Sequence, residues 1–101
     1  MAIQRIVKMT FLAEHCQDFE TYFNEIKNKV GNQPGCQGVK LLKDNSGKGI
    51  YFTYSVWNSP QDLEIYRNTD LFASVWPKVK AWFGDRPEAW STEIFLESIK
   101  K

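Results

Sequence analysis

At 101 residues, with 13 Lys and Arg against 12 Asp and Glu and a net charge of +1, the chain has room for one core and no basic excess to offer a nucleic acid. No window comes near the roughly 18 apolar residues that a membrane span needs, and Cys16 and Cys36 stand far apart with no CxxC spacing and no histidine cluster, which gives a metal no set of ligands. These features predict a single domain over residues 1–101, located in the cytoplasm, with two free thiols, no metal, no nucleic-acid partner and no membrane partner.

The first element is a strand. From Ile3 to Phe11, Arg5, Val7, Met9 and Phe11 alternate with Gln4, Ile6, Lys8 and Thr10. Glu14 to Val30 then reads as a helix, because Phe19, Tyr22, Phe23, Ile26 and Val30 recur at spacings of three and four on one stripe. The one histidine, His15, adjoins Cys16, but neighbours on a helix point about 100° apart, so the two do not face each other as base and nucleophile. Gly31 stops the helix, and Gln33-Pro34-Gly35 supplies a loop.

Cys36 to Lys43 and Ile50 to Trp57 form the second and third strands, joined by the polar run Asp44 to Gly49 as a hairpin. The third strand carries Ile50, Phe52, Tyr54 and Val56 on one side and Tyr51, Thr53, Ser55 and Trp57 on the other. Both of its faces therefore hold large apolar groups.

Ser59-Pro60-Gln61-Asp62 is a helix start, with Ser59 as cap and Pro60 at the first helical position, where its missing N–H costs nothing. Leu63, Ile65 and Tyr66 begin the apolar side of that helix. A second short helix restarts after Asn68-Thr69, capped by Thr69 or Asp70, with Leu71, Phe72, Val75, Trp76, Val79 and Phe83 at helical spacing. Pro77 is expected to bend or break it near Trp76. Ala89 to Ser98 alternates again and reads as the fourth strand, with Trp57 and Trp90 assigned to packing and Trp82 to a pocket mouth or a subunit edge.

The order strand, helix, strand, strand, helix, strand is that of a ferredoxin-like split βαβ domain of the α+β class. Its four-stranded antiparallel sheet carries helices on one face and leaves the other bare. Apolar residues on both faces of the third strand, with Ile6 on the minority side of the first, predict that a second copy covers the bare face and that the chain is a homodimer through its sheet.

The opening "RIVKMTF", the "GC" that begins strand two after a Pro-Gly turn, the run "FTYSVWNSPQDLEIYRNTDLF" and the closing "PEAWS" resemble the antibiotic biosynthesis monooxygenase family over nearly the whole chain. The resemblance implies a dimeric α+β barrel with a ligand pocket between sheet and helices in each subunit. It also implies cofactor-independent oxidation of a small or polycyclic phenol or quinol, with no cofactor required because the substrate carries the electrons for dioxygen.

The family's haem-degrading branch uses an Asn, a Trp and a His at the places where this chain has Val7, Tyr66 and Trp76, and indole cannot ligate iron through its N–H. Haem breakdown accordingly ranks last. The quinol-oxidising branch shows imidazoles where this chain has Tyr66 and Leu71. Tyr66 keeps a hydroxyl for a substrate oxygen and is the expected catalytic residue, and the alternative is that it only packs its ring. Trp76, Phe72, Tyr54, Val7 and Met9 are the expected walls of a site for a small aromatic ligand, against core packing as the other reading. Arg5 either binds an anionic substrate group or marks a solvated strand end. A noncatalytic ligand-binding or structural dimer of the same fold stands as the second reading of function.

Overall fold

The computed structural model describes residues 1–100. Strand β1 (Ile3–Thr10), helix α1 (Cys16–Gly31), strands β2 (Cys36–Lys43) and β3 (Ile50–Trp57), helices α2 (Pro60–Arg67) and α3 (Asp70–Lys80) and strand β4 (Glu88–Thr92) follow in that order, with a short 3₁₀ turn at Ala13–His15 before α1. The sheet is antiparallel in the order β2-β3-β1-β4, which is the ferredoxin-like α+β arrangement expected from the sequence.

Register decides which side chains meet. Arg5, Val7 and Met9 of β1 lie opposite Ser55, Thr53 and Tyr51 of β3, and Arg5 and Val7 lie opposite Ser91 and Ala89 of β4. Because side chains alternate along a strand, these positions share the face under the helices. Gln4, Ile6 and Lys8, with Val56, Tyr54 and Phe52 of β3, point the other way.

The core lies between the first face and the helices. Phe19, Phe23, Ile26 and Val30 of α1 are buried with Met9, Phe11, Tyr51 and Val79, and Ile3, Trp57 and Leu63 form a second cluster at one end of the sheet. Helix starts follow their caps: Ser59 Oγ accepts the Asp62 backbone N–H at 3.2 Å and Thr69 Oγ1 accepts that of Phe72, also at 3.2 Å. Gly35, at φ +79°, is required where the loop before β2 passes the Asp62 side chain, which would collide with a Cβ.

Several features differ from expectation: α1 begins at Cys16 rather than Glu14, after the 3₁₀ turn, and α3 ends at Lys80, short of Phe83. Strand β1 ends at Thr10, and Phe11 instead bridges to Phe83. Pro77 does not break α3, although it leaves the Ala73 carbonyl without its helical donor. Val75 and Val79, one partly and one fully buried against the core, hold the helix to the sheet on either side of it. Strand β4 stops at Thr92 rather than Ser98, because Thr92 pairs with Gln4 and β1 begins one residue earlier, so Ile94 to Ser98 have no strand to pair with. Ile94, Phe95, Leu96 and Ile99 are consequently exposed.

Candidate functional site

The face under the helices does not close completely. Between it and α1, α2 and α3 lies a cavity of about 430 Å³, within the range of small-molecule sites. Val7, Met9, Thr53 and Ser55 form its floor, α1 contributes Phe19, Phe23 and Ile26 as one wall, and α2 and α3 contribute Tyr66, Phe72, Val75 and Trp76.

Aromatic packing fixes these walls. The Tyr66 ring stacks on Trp57 with centroids 5.1 Å apart and meets Phe72 edge-on at 5.4 Å. Phe72 in turn lies parallel to Trp76 at 6.1 Å, and Trp76 meets Phe83 edge-on at 5.7 Å. Trp57 anchors the series: it is 1% exposed and its indole N–H donates to Ser55 Oγ at 3.0 Å. Rings held at these separations and angles present fixed π faces to a planar ligand.

Of the expected site residues, Arg5, Val7, Met9, Tyr66, Phe72 and Trp76 border this one cavity. Tyr54 does not. It is paired with Ile6, so it points to the open face of the sheet, and its expected place in the pocket is corrected by the period-two alternation of β3. Trp90, also opposite Ile6, is 44% exposed on that open face and belongs to neither buried cluster. Trp82 stands away from the cavity, stacked near His15 at 6.2 Å and edge-on to Tyr22 at 5.9 Å.

Several lining residues were not anticipated as site residues: Thr53, Ser55, Arg67 and the α1 phenylalanines. The signal for Thr53 and Ser55 was present, since they alternate with Tyr51 and Trp57. Arg67 directly follows Tyr66 at the end of α2.

The electrostatics are set by few groups. Burial first, then the nearby Cys36 and Tyr22 groups, push the Tyr66 phenol up to about 12, so Tyr66 holds its proton at neutral pH and is no base there. Its hydroxyl has no protein partner among the described residues and is a free donor. Burial, followed by the repulsion of Arg67, lowers Arg5, while Glu64 acts in the opposite direction. Arg5 stays charged, and its guanidinium donates to Ser91 Oγ at 3.0 Å. Among the described residues, no cluster of three His, Cys, Asp or Glu side chains is placed to hold a metal ion. His15 lies outside the cavity, with its Nδ1 2.9 Å from Asp18, and Cys16 and Cys36 are free and half-buried. Among the described residues, no helix is long and apolar enough to cross a membrane.

The family model for antibiotic biosynthesis monooxygenases matches residues 2–76, which includes the cavity floor and the Tyr66, Phe72 and Trp76 wall. The chain belongs to the antibiotic biosynthesis monooxygenase family. No curated protein sequence matches the chain. Solved structures similar to it include an antibiotic biosynthesis monooxygenase (17% identity, covering 93% of this chain and 99% of that one, TM-score 0.85). SnoaB of Streptomyces nogalater, a cofactor-independent oxygenase solved as a mutant, shares 16% identity over 95% of both chains with a TM-score of 0.84. A conserved protein of Methanosarcina mazei shares 16% identity over 90% of both chains, also with a TM-score of 0.84. At these identities the likeness is one of fold, and its coverage of 90–95% of the chain carries it beyond residue 76, where the family model ends.

Proposed function

We propose that this family member is a cofactor-independent oxygenase of a small or polycyclic phenol or quinol, bound in the aromatic cavity and oxidised there by dioxygen. The observation that carries the reading is the cavity itself: an enclosure of ordered rings with one free phenolic donor, Tyr66, in a chain whose family is named for oxygenation. An electron-rich phenolate supplies the electrons that dioxygen takes. The protein's part is then to hold the ring flat between Tyr66, Phe72 and Trp76, to exclude water, and to place the Tyr66 O–H where it hydrogen-bonds the substrate oxygen.

One observation favours a second reading, a noncatalytic ligand-binding dimer. Among the described residues, no imidazole or thiol lines the cavity, and its one carboxylate, Glu88, is turned to Lys8 at 3.9 Å. A substrate without a base must reach the site already ionised or be acidic enough to ionise there.

The homodimer belongs to the same proposal. The open sheet face carries Ile6, Phe52, Tyr54 and Val56, half-buried, beside Leu42 and Trp90 at 49% and 44% exposure. A second copy packed on this face would bury a contiguous apolar surface that water now touches.

Oxygen uptake with a panel of hydroquinones and polycyclic phenols, with no cofactor added, tests the reading. A rate above the buffer blank, lost in Val7→Phe where the new ring fills the cavity floor, supports the oxygenase. Saturable binding with no oxygen uptake supports the ligand-binding dimer instead.

A further inference from the structure

The aromatic cavity is polar at one end, and the polar groups there are not matched to one another. Ser55 of β3, Arg5 of β1 and Ser91 of β4 form one row across three strands on the cavity face. Arg5 gives one N–H to Ser91 Oγ, and no carboxylate lies within salt-bridge distance of its guanidinium among the described residues. Ser55 is 7% exposed and accepts the Trp57 indole N–H, while its own O–H has no acceptor among the described residues. A second guanidinium, Arg67, lines the same cavity, and the acid that serves it, Glu64 at 3.6 Å, lies on the adjacent turn of α2 outside the lining.

A partly buried cation usually has an anionic partner, and a buried hydroxyl usually has an acceptor. Arg5 is not at a frayed strand end: Ile3 and Gln4 before it are buried and paired to Trp57 and Val56. Arg5 therefore faces a mostly apolar space bonded only to Ser91, with Glu64 as a countercharge beyond salt-bridge distance that is already paired with Arg67, and the Ser55 O–H faces the same space without an acceptor.

We propose that Arg5 and the Ser55 hydroxyl form an anion-binding subsite at this end of the cavity, so that the ligand is an aromatic acid: a phenol or quinol bearing a carboxylate. The planar guanidinium fork matches a carboxylate through paired N–H donors, and Ser55 adds a third. Arg67 raises the positive potential at the same end. The rings of Tyr66, Phe72 and Trp76 take the apolar body, which fixes which end of the ligand faces the Tyr66 hydroxyl. The inference rests on the aromatic-cavity reading above and narrows it to a substrate class.

Calorimetric titration at neutral pH with a hydroxynaphthoate and with the naphthol that lacks its carboxylate tests the subsite. The hydroxynaphthoate is expected to bind at least about tenfold tighter, as a desolvated charge-assisted pair implies. The preference is expected to collapse towards one in Arg5→Gln, to survive in part in Arg5→Lys, and to weaken in the unaltered protein as salt is raised. Equal binding of the two ligands by the unaltered protein would overturn the subsite and leave the aromatic cavity standing. Binding of neither would overturn both. A preference retained in Arg5→Gln would assign the anion elsewhere. The comparison of the two ligands and the salt titration need no variant, so they decide the matter even if Arg5→Gln fails to fold.

Discussion

The Tyr66 ring lies flat on Trp57, 5.1 Å between centroids and 24° from parallel, joining helix α2 to the end of strand β3 where the cavity begins. One partner is sealed in the core and the other faces the cavity, so the pair transmits the rigidity of the sheet to the wall of the site.

Trp57 should therefore be the residue whose loss is felt most. Trp57→Ala removes a side chain that is 1% exposed, together with its hydrogen bond to Ser55, and is expected to cost about 3–5 kcal/mol. That is a large part of the roughly 5–15 kcal/mol by which a domain is stable. The midpoint of urea unfolding measures it, and a change below about 1 kcal/mol would show that the stack carries no such weight.

Stability should fall on the alkaline side. Tyr51 and Tyr66 are both raised above the ordinary tyrosine value of 10.0, first by burial, and Tyr51 also because its O–H donates to Glu20. A raised phenol contributes stability that is fully present below 10.0 and is lost as pH rises through the folded value. Chemical unfolding from pH 8 upward should show ~constant stability until about pH 10 and a decline beyond it, with a shallower decline in Tyr66→Phe.

The acid side has the opposite sign. Hydrogen bonds from Tyr51 and then from Lys43 hold the Glu20 carboxyl below its ordinary value of 4.5. Its contribution is present above 4.5 and is lost as pH falls through the lower folded value. Glu20→Gln should be less stable near neutral pH and should lose less on acidification. A parallel pair of acid-unfolding curves for the two proteins would contradict this.

The open sheet face gives a separate prediction. Trp90→Glu places a charge on the proposed dimer contact at a position 44% exposed in the single chain, so it should yield a folded monomer by sedimentation. An unchanged sedimentation coefficient would place the dimer contact elsewhere or remove it.

The fold was legible in the sequence because its signals are local. Alternation in Ile3 to Thr10, the Phe19-Phe23-Ile26-Val30 stripe and the Ser59-Pro60 cap each need only neighbouring residues to be read. The site was legible in part. The alternation that put Tyr54 on the side opposite Ser55 was visible in the strand itself, but which side faces the helices depends on register against β1. The end of β4 at Thr92 is likewise a property of β1, which has only Ile3 left beyond Gln4, while the sequence itself runs on through the apolar Ile94, Phe95 and Leu96. Arg5 stood out as a lone cation among apolar neighbours, but that it forms no salt bridge, with the nearby Glu64 paired to Arg67 instead, is a fact of three dimensions.

The most direct test of the central claim, that the cavity holds an aromatic ligand, is a fluorescence titration of the four tryptophans with hydroquinones and polycyclic phenols, comparing the protein with Trp76→Phe. The expected result is saturable quenching by one ligand class, with an amplitude that shrinks in Trp76→Phe because that indole lines the cavity. Quenching that never saturates, or that is identical in the two proteins, would contradict it and leave the stacked rings as core alone.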